Sequence, residues 1–281
     1  MPRPSPEAAK CAAVYRLALP ERVGHGLAGE RLGRASGTSL EFQDRRPYVI
    51  GDDVRHIDWR AMARTDQMLV RVFREEIQPR VEILLDASAS MAVDPGKIQI
   101  AVDLCAMLSD LALQEGFACR ILRLGDRIEE IEKAAFDRLG TDADGRRPLE
   151  DALDAASPLL RPGSMRFVVS DFLSPHDPTK LMRKCASAAG SIALLQILAS
   201  DDAAPPVGSA LRLTDAESGA VLDLVLDEGA VRSYLQRLER LQSGLAAEAL
   251  RAAGIFVSIE SPTPLAEICR SRLLPAGVLT A

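Results

Sequence analysis

Aromatic residues are scarce in this chain: one Trp, three Tyr and seven Phe stand among 281 residues. A core built with so few rings must rest on Leu, Ile, Val and Ala. Histidine is nearly absent, with only His25, His56 and His176. None of the three has a Cys or His neighbour at zinc spacing, and no Ser-His-Asp set is evident. The five cysteines, Cys11, Cys105, Cys119, Cys185 and Cys269, are odd in number and form no C-x-x-C. They read as small buried residues of a reducing compartment. No apolar run reaches the roughly 18 residues that a membrane helix needs. The opening MPRPSPEAAK lacks the apolar core of a secretory signal, so the expected location is cytoplasmic. A formal net charge of −6 excludes a nucleic-acid binder that works by bulk electrostatics.

What is present is a regular alternation of apolar strands and amphipathic helices. Val81–Leu85, Met165–Phe172 and Ile192–Leu198 are predominantly apolar runs, as expected of strands buried on both faces. Lys97–Gln114 carries Ile98, Ile100, Ala101, Leu104, Cys105, Leu108 and Leu111 at helical spacing. Helices are also expected over 5–19, 149–160, 178–189, 228–253 and 264–274. Segments 211–213 and 221–226 read as a β-hairpin across Asp215-Ala216-Glu217-Ser218-Gly219. Buried strands alternating with helices predict an α/β fold: a doubly wound, mostly parallel sheet with helices on both faces. The expected division is an amino-terminal helix and charged arm packed on the sheet (1–77), then the sheet domain (78–281). Gly24-His25-Gly26-Leu27-Ala28-Gly29 is no phosphate loop, because no strand precedes it and no Gly-Lys-Ser/Thr follows.

Two stretches carry candidate chemistry. The first is Val81–Met91, VEILLDASASM, a strand ending in Asp86-x-Ser88-x-Ser90. Asp171 ends a second buried strand, FVVSDFL. If the two strands are neighbours, Asp86, Ser88, Ser90 and Asp171 converge outside the carboxyl ends of the sheet, where open α/β sheets bind ligands. Two carboxylates and two hydroxyls form a hard oxygen set suited to Mg2+ or Mn2+. The bland alternative is a helix cap or hydroxyl-rich turn. Met91–Gly96 intervenes before the helix, which makes simple capping a poor account.

This arrangement resembles the metal-ion-dependent adhesion site of von Willebrand factor A domains. Asp86, Ser88 and Ser90 match its first element and Asp171 its third. The middle element departs. Arg147 stands where the resemblance expects Thr, and Thr141 lies six residues upstream. An arginine there is positioned to neutralise both carboxylates and make a metal unnecessary.

The second stretch is Gly51-Asp52-Asp53-x-Arg55-x-Ile57-Asp58-Trp59-Arg60-x-x-Ala63-Arg64, with charges of both signs around the only tryptophan. It fits no metal or nucleophile template. It reads either as a salt-bridge network clamping the arm with Trp59 as its anchor, or as a docking surface, since Trp and Arg are favoured hot-spot residues.

Together with Phe42, Asp44, Arg46, Tyr48, Thr65 and Glu75-Glu76, and with the Asp-x-Ser that follows, this pattern resembles domain-of-unknown-function family 58. The resemblance covers about residues 20–275. It implies a von Willebrand factor A-like bacterial protein found beside MoxR-type AAA+ ATPases. The implied role is an adaptor in an ATP-driven, chaperone-like system. Many relatives carry amino-terminal membrane helices, and none is legible here.

The leading functional expectation is therefore a non-enzymatic protein-interaction module, with a partner carboxylate completing the strand-tip site. A metal-dependent hydrolase or phosphotransferase using Asp86 as nucleophile is the enzymatic alternative. Haloacid-dehalogenase-like phosphatases need a second Asp two residues on, and position 88 is Ser. A scaffold with a decayed metal site, interacting through the charged arm, is the third.

Overall fold

The computed structural model describes residues 3–18, 40–50, 52–75, 80–132, 135–136, 145–208, 210–216 and 219–281. The glycine run at 24–29 and Thr141 lie outside the described residues.

In chain order the elements are α1 (Pro6–Val14), β1 (Arg16–Leu17), β2 (Leu40–Pro47), α2 (Trp59–Thr65), β3 (Leu69–Glu75), β4 (Arg80–Asp86), α3 (Ala89–Ala92) and α4 (Pro95–Gln114). Next come β5 (Ala118–Leu124), β6 (Ile128–Ile131), α5 (Leu149–Ala156), β7 (Met165–Ser170), α6 (Pro178–Cys185), β8 (Ser191–Leu198) and α7 (Ser200–Ala203). The chain closes with β9 (Ala210–Thr214), β10 (Val221–Val225), α8 (Glu228–Arg251), β11 (Ile255–Glu260), α9 (Leu265–Ile268) and β12 (Leu279–Thr280).

The chain forms two compact units: residues 1–23 with 79–281, and residues 24–78. Helix α1 thus groups with the sheet unit and not with the charged segment after it. The reason is local. The Ser5 amide donates to Asp103 Oδ1 at 2.6 Å and Gln99 Nε2 donates to the Arg3 carbonyl at 2.8 Å, both tying the amino terminus to α4. The carboxyl terminus closes on the same region, where β12 pairs antiparallel with β1.

The sheet unit is built on six strands in the order β11-β8-β7-β4-β5-β6. All neighbours are parallel except β5 and β6, which form an antiparallel pair. From β4 the chain winds outward to β5 and β6; from β7 it winds the other way to β8 and β11. The winding direction therefore reverses between β4 and β7, which are hydrogen-bonded neighbours.

Side chains alternate across the sheet. Ile83, Leu85, Phe167, Val169 and Ile197 enter one core with α1, α4 and α9. Leu84, Val168 and Leu194 enter the other with α5, α6 and α8. Helices thus cover both faces, as expected. Helix α4 is buried nearly all round because α1 lies outside it. The expected hairpin is present as β9 and β10, a separate antiparallel pair. The expected helix over 264–274 is α9 followed by a π turn at Cys269–Leu273.

Within the second unit, β2 and β3 pair antiparallel. Residues expected as an irregular arm are therefore strand from Leu40 onward. Helix α2 starts at Trp59, capped by Asp58. All five cysteines are unpaired, and four of them are buried. Among the described residues no helix is long and apolar enough to cross a membrane.

Candidate functional site

The reversal between β4 and β7 puts Asp86 and Asp171 side by side at the carboxyl ends of the sheet. Both are buried. Asp86 is the last residue of β4. Its Oδ1 accepts from the Ser88 amide at 2.8 Å and its Oδ2 from the Ser170 hydroxyl at 2.6 Å. Asp171 follows β7. Its Oδ1 accepts from the Leu173 amide at 3.1 Å, and its backbone carbonyl accepts from Gln196 Nε2 of β8 at 2.8 Å. Phe172 sits in the left-handed region at φ 54 and is wholly buried. Such a conformation costs a bulky residue about 1 kcal/mol or more and persists only where the surroundings fix it. Here the Phe172 amide donates to Ser170 Oγ at 2.9 Å.

The fourth carboxylate oxygen is held by a residue that sequence reasoning missed. Lys97 Nζ lies 2.7 Å from Asp171 Oδ2, with both side chains at most 3% exposed. The same ammonium donates to the Ser90 carbonyl at 3.1 Å and to Asp202 Oδ2 at 3.5 Å. Lys97 belongs to the first turn of α4, whose cap is Asp94, accepting from the Lys97 amide at 2.8 Å. The one signal in the sequence was the only lysine of α4, placed in the first turn of a mostly apolar helix.

Ser88 follows β4 directly, as expected, whereas Ser90 lies in α3 and not in the expected loop; their hydroxyls bond each other at 3.0 Å. Met91–Gly96 is not simply a loop, because α3 fills part of it with Ser88 at its cap position. The Ser88 hydroxyl makes no capping bond there. The loop around residue 145 lies alongside: the Ala89 amide donates to the Gly145 carbonyl at 3.0 Å, and the Gly145 amide to the Ala87 carbonyl at 3.2 Å. Arg147 is in this loop, but it does not neutralise the carboxylates. Its amide donates to Asp126 Oδ1 at 3.2 Å, and among the described residues its guanidinium forms no ion pair with Asp86 or Asp171. The neutralising cation is Lys97.

Burial pushes the Asp86 carboxyl up to about 6, and the neighbouring Asp171 charge adds to the rise. The Ser170 and Ser88 hydrogen bonds offset part of this. Tyr234 of α8 donates to the Asp202 carbonyl at 2.9 Å, and burial raises its phenol to about 12.

The residues do not fit the divalent ion that the resemblance implies. Every carboxylate oxygen of Asp86 and Asp171 already accepts from a protein donor. An ion shared by Asp171 would sit within a few ångströms of the Lys97 ammonium in a low-dielectric site, where like charges repel strongly. Among the described residues no group of three His, Cys, Asp or Glu side chains is arranged to hold a metal.

The charged tryptophan stretch is held together within its own unit. Asp58 is 2% exposed; its Oδ1 caps α2 by accepting from the Arg60 and Ala61 amides, and its Oδ2 accepts from Arg45 Nε at 2.8 Å. Arg46 grips Asp52 through two parallel bonds, 2.7 and 2.5 Å. Asp53 accepts from Arg55 at 2.6 Å, and that guanidinium holds its carboxyl down at about 2. Arg64 Nε donates to the Arg60 carbonyl. Trp59 is not a buried anchor. It is 60% exposed and borders a shallow depression with Met62, Arg64 and Asp66.

Fold and site together define a mixed α/β protein with a paired carboxylate centre at the sheet's switch point and a charged unit presenting one tryptophan. The chain belongs to the family described as protein of unknown function DUF58, whose model matches residues 44–244. Uncharacterized proteins of Mycobacterium bovis and Mycobacterium tuberculosis are each 27% identical over 273 residues, covering 89% of this chain and 83% of theirs. Among solved structures, an aerotolerance-related membrane protein from Bacteroides fragilis aligns at TM-score 0.40 and 16% identity, over 65% of this chain and 92% of that one. The conserved hypothetical protein BatB from Bacteroides thetaiotaomicron aligns at TM-score 0.36 and 14% identity, over 65% and 90%.

Proposed function

We propose that this protein is a non-enzymatic adaptor that binds another protein through the Trp59 helix of its charged unit. The observation that carries this reading is the exposure of Trp59 on a helix whose start is hydrogen-bonded through Asp58. A tryptophan left 60% exposed is costly in water and well suited to a hot spot. Asp58 and Arg45 fix the start of α2, so the ring is presented with little ordering cost on binding. Val49, Ile50 and Val54 of the same unit are exposed as well.

The strand tip is less suited to this task. Its carboxylates are buried and already paired, which leaves no open position for a partner's carboxylate. The same closure speaks against a phosphotransferase using Asp86, whose two oxygens are engaged by Ser88 and Ser170. The strand order and the Asp86-Ser88-Ser90-Asp171 cluster support the von Willebrand factor A-like reading. The partner implied by the family resemblance is a MoxR-type AAA+ ATPase, and the five unpaired cysteines suit a cytoplasmic setting.

The test is retention of host proteins on tagged chain, comparing wild type with Trp59→Ala and Asp86→Ala in Mg2+ and in EDTA. Loss of an AAA+ ATPase in Trp59→Ala alone supports the reading. Loss in Asp86→Ala with unchanged retention in Trp59→Ala refutes it.

A further inference from the structure

We infer that Lys97 stands in for the divalent cation at the strand tip, so that the site is a permanent, metal-independent lock. The inference rests on the geometry of the tip and goes beyond the adaptor reading.

A lysine in the first turn of a helix is opposed by the helix dipole, and one that is 3% exposed has also lost its water. Something must compensate for both. The ammonium has three protons and three oxygen partners: the Ser90 carbonyl, Asp171 Oδ2 and Asp202 Oδ2. These come from three separate segments, the short helix α3 after β4, the turn after β7 and helix α7 after β8. That is the bridging role a bound ion would have, carried out by a covalently tethered charge.

Two further features fix the ammonium in place. The Asp94 cap sets the start of α4. Gly96 lets the chain pass close to Ser261, because a Cβ there would fall 2.2 Å from the Ser261 hydroxyl. The cation is thus buried, fully coordinated and reachable by no external carboxylate.

The experiment uses the purified full chain and Mn2+ alone as the probe. Free Mn2+ is followed by electron paramagnetic resonance, and thermal midpoints are compared in Mg2+ and EDTA. The expected result for wild type is no protein-dependent loss of the free Mn2+ signal and equal midpoints. Lys97→Ala is expected to gain Mn2+ affinity and a midpoint that rises with Mg2+, and the further change Asp171→Asn should abolish both. Wild-type Mn2+ binding that is lost in Asp171→Asn or Ser90→Ala would overturn the inference, and this arm decides even where Lys97→Ala fails to fold. A Lys97→Ala chain that folds without gaining Mn2+ affinity overturns it too.

Discussion

The Lys97 ammonium and the Asp171 carboxylate lie 2.7 Å apart with both side chains sealed from solvent, joining residues 74 positions apart in sequence. Removing Lys97 leaves Asp171 as an uncompensated buried charge, and removing Asp171 leaves the ammonium only the more distant Asp202 carboxylate, a loss of up to about 3–5 kcal/mol. Lys97→Met and Asp171→Asn should each show a loss of this order in urea denaturation. The double variant should lose less than the sum of the two, by about 1–3 kcal/mol. Strictly additive losses would mean that the two groups do not interact.

Asp86 gives the stability curve a characteristic slope. Its carboxyl is raised from 3.8 to about 6 in the fold, chiefly by burial and then by Asp171. The fold therefore holds the proton more tightly than the unfolded chain does. The associated stability is complete below about pH 4 and is lost as pH rises through about 6, roughly 2–3 kcal/mol in all. Asp53, held down near 2 by Arg55, acts with the opposite sign in a more acidic window. Urea midpoints taken from pH 4 to pH 7 should fall in wild type and be flatter in Asp86→Asn. Equal slopes in the two chains would contradict the assignment.

Much of the fold was legible because it is written in local pattern. The runs at Val81–Leu85, Met165–Phe172 and Ile192–Leu198 are mostly apolar on both faces, as a sheet covered twice requires, with Glu82, Arg166 and Gln196 as buried polar exceptions. The convergence of Asp86 with Asp171 followed from the strand-end rule on the condition that their strands are neighbours, as β4 and β7 are. The counter-charge did not. The von Willebrand factor A resemblance pointed to Arg147, whereas burial of Lys97 depends on Asp171 and Asp202, which are remote in sequence. Ser170 was equally hidden, since nothing local distinguishes it from a strand serine. The exposure of Trp59 was illegible for a related reason: the motif names the charges but not which face of α2 they leave open.

Because Trp59 is the only tryptophan, its exposure can be measured directly. Emission should be red-shifted and readily quenched by acrylamide in the folded chain. Trp59→Ala should change unfolding stability by no more than about 0.5 kcal/mol, as expected for an exposed side chain away from a packed core. Blue-shifted, protected emission would place the ring in an interior and remove the main support for a docking role.

A second buried ion pair lies on the sheet at the end remote from the tip. Glu82 and Arg166 are both 0% exposed, with Arg166 Nη2 2.9 Å from Glu82 Oε2. Ser164 Oγ and the Arg161 amide also donate to Glu82, while Arg166 Nη1 donates to the Cys185 and Ser187 carbonyls. Because each group is nearly saturated with partners, Glu82→Gln leaves Arg166 short of charge and should cost about 3 kcal/mol or more. The loss should appear in global unfolding without altering Mn2+ or partner binding, which separates this structural pair from the tip.

Gly145 ties the loop around it to the Ala87–Ala89 segment after β4. A Cβ at this position would lie 2.9 Å from the Ala87 carbonyl oxygen and 3.2 Å from Gly125 Cα, both backbone atoms that cannot swing aside. Gly145→Ala must therefore push the loop off the Asp86–Ala89 segment and break the bridge between Ser88 and Gly145. The expected cost is about 1–3 kcal/mol, as for overpacking elsewhere. The effect should be directional. The Ala89 amide, which donates to the Gly145 carbonyl, should exchange with solvent faster in the variant, while amides of β8 and β11 keep their protection. Uniformly faster exchange across the sheet would instead mean that the loop is part of the global core, not a separate brace for the strand tip.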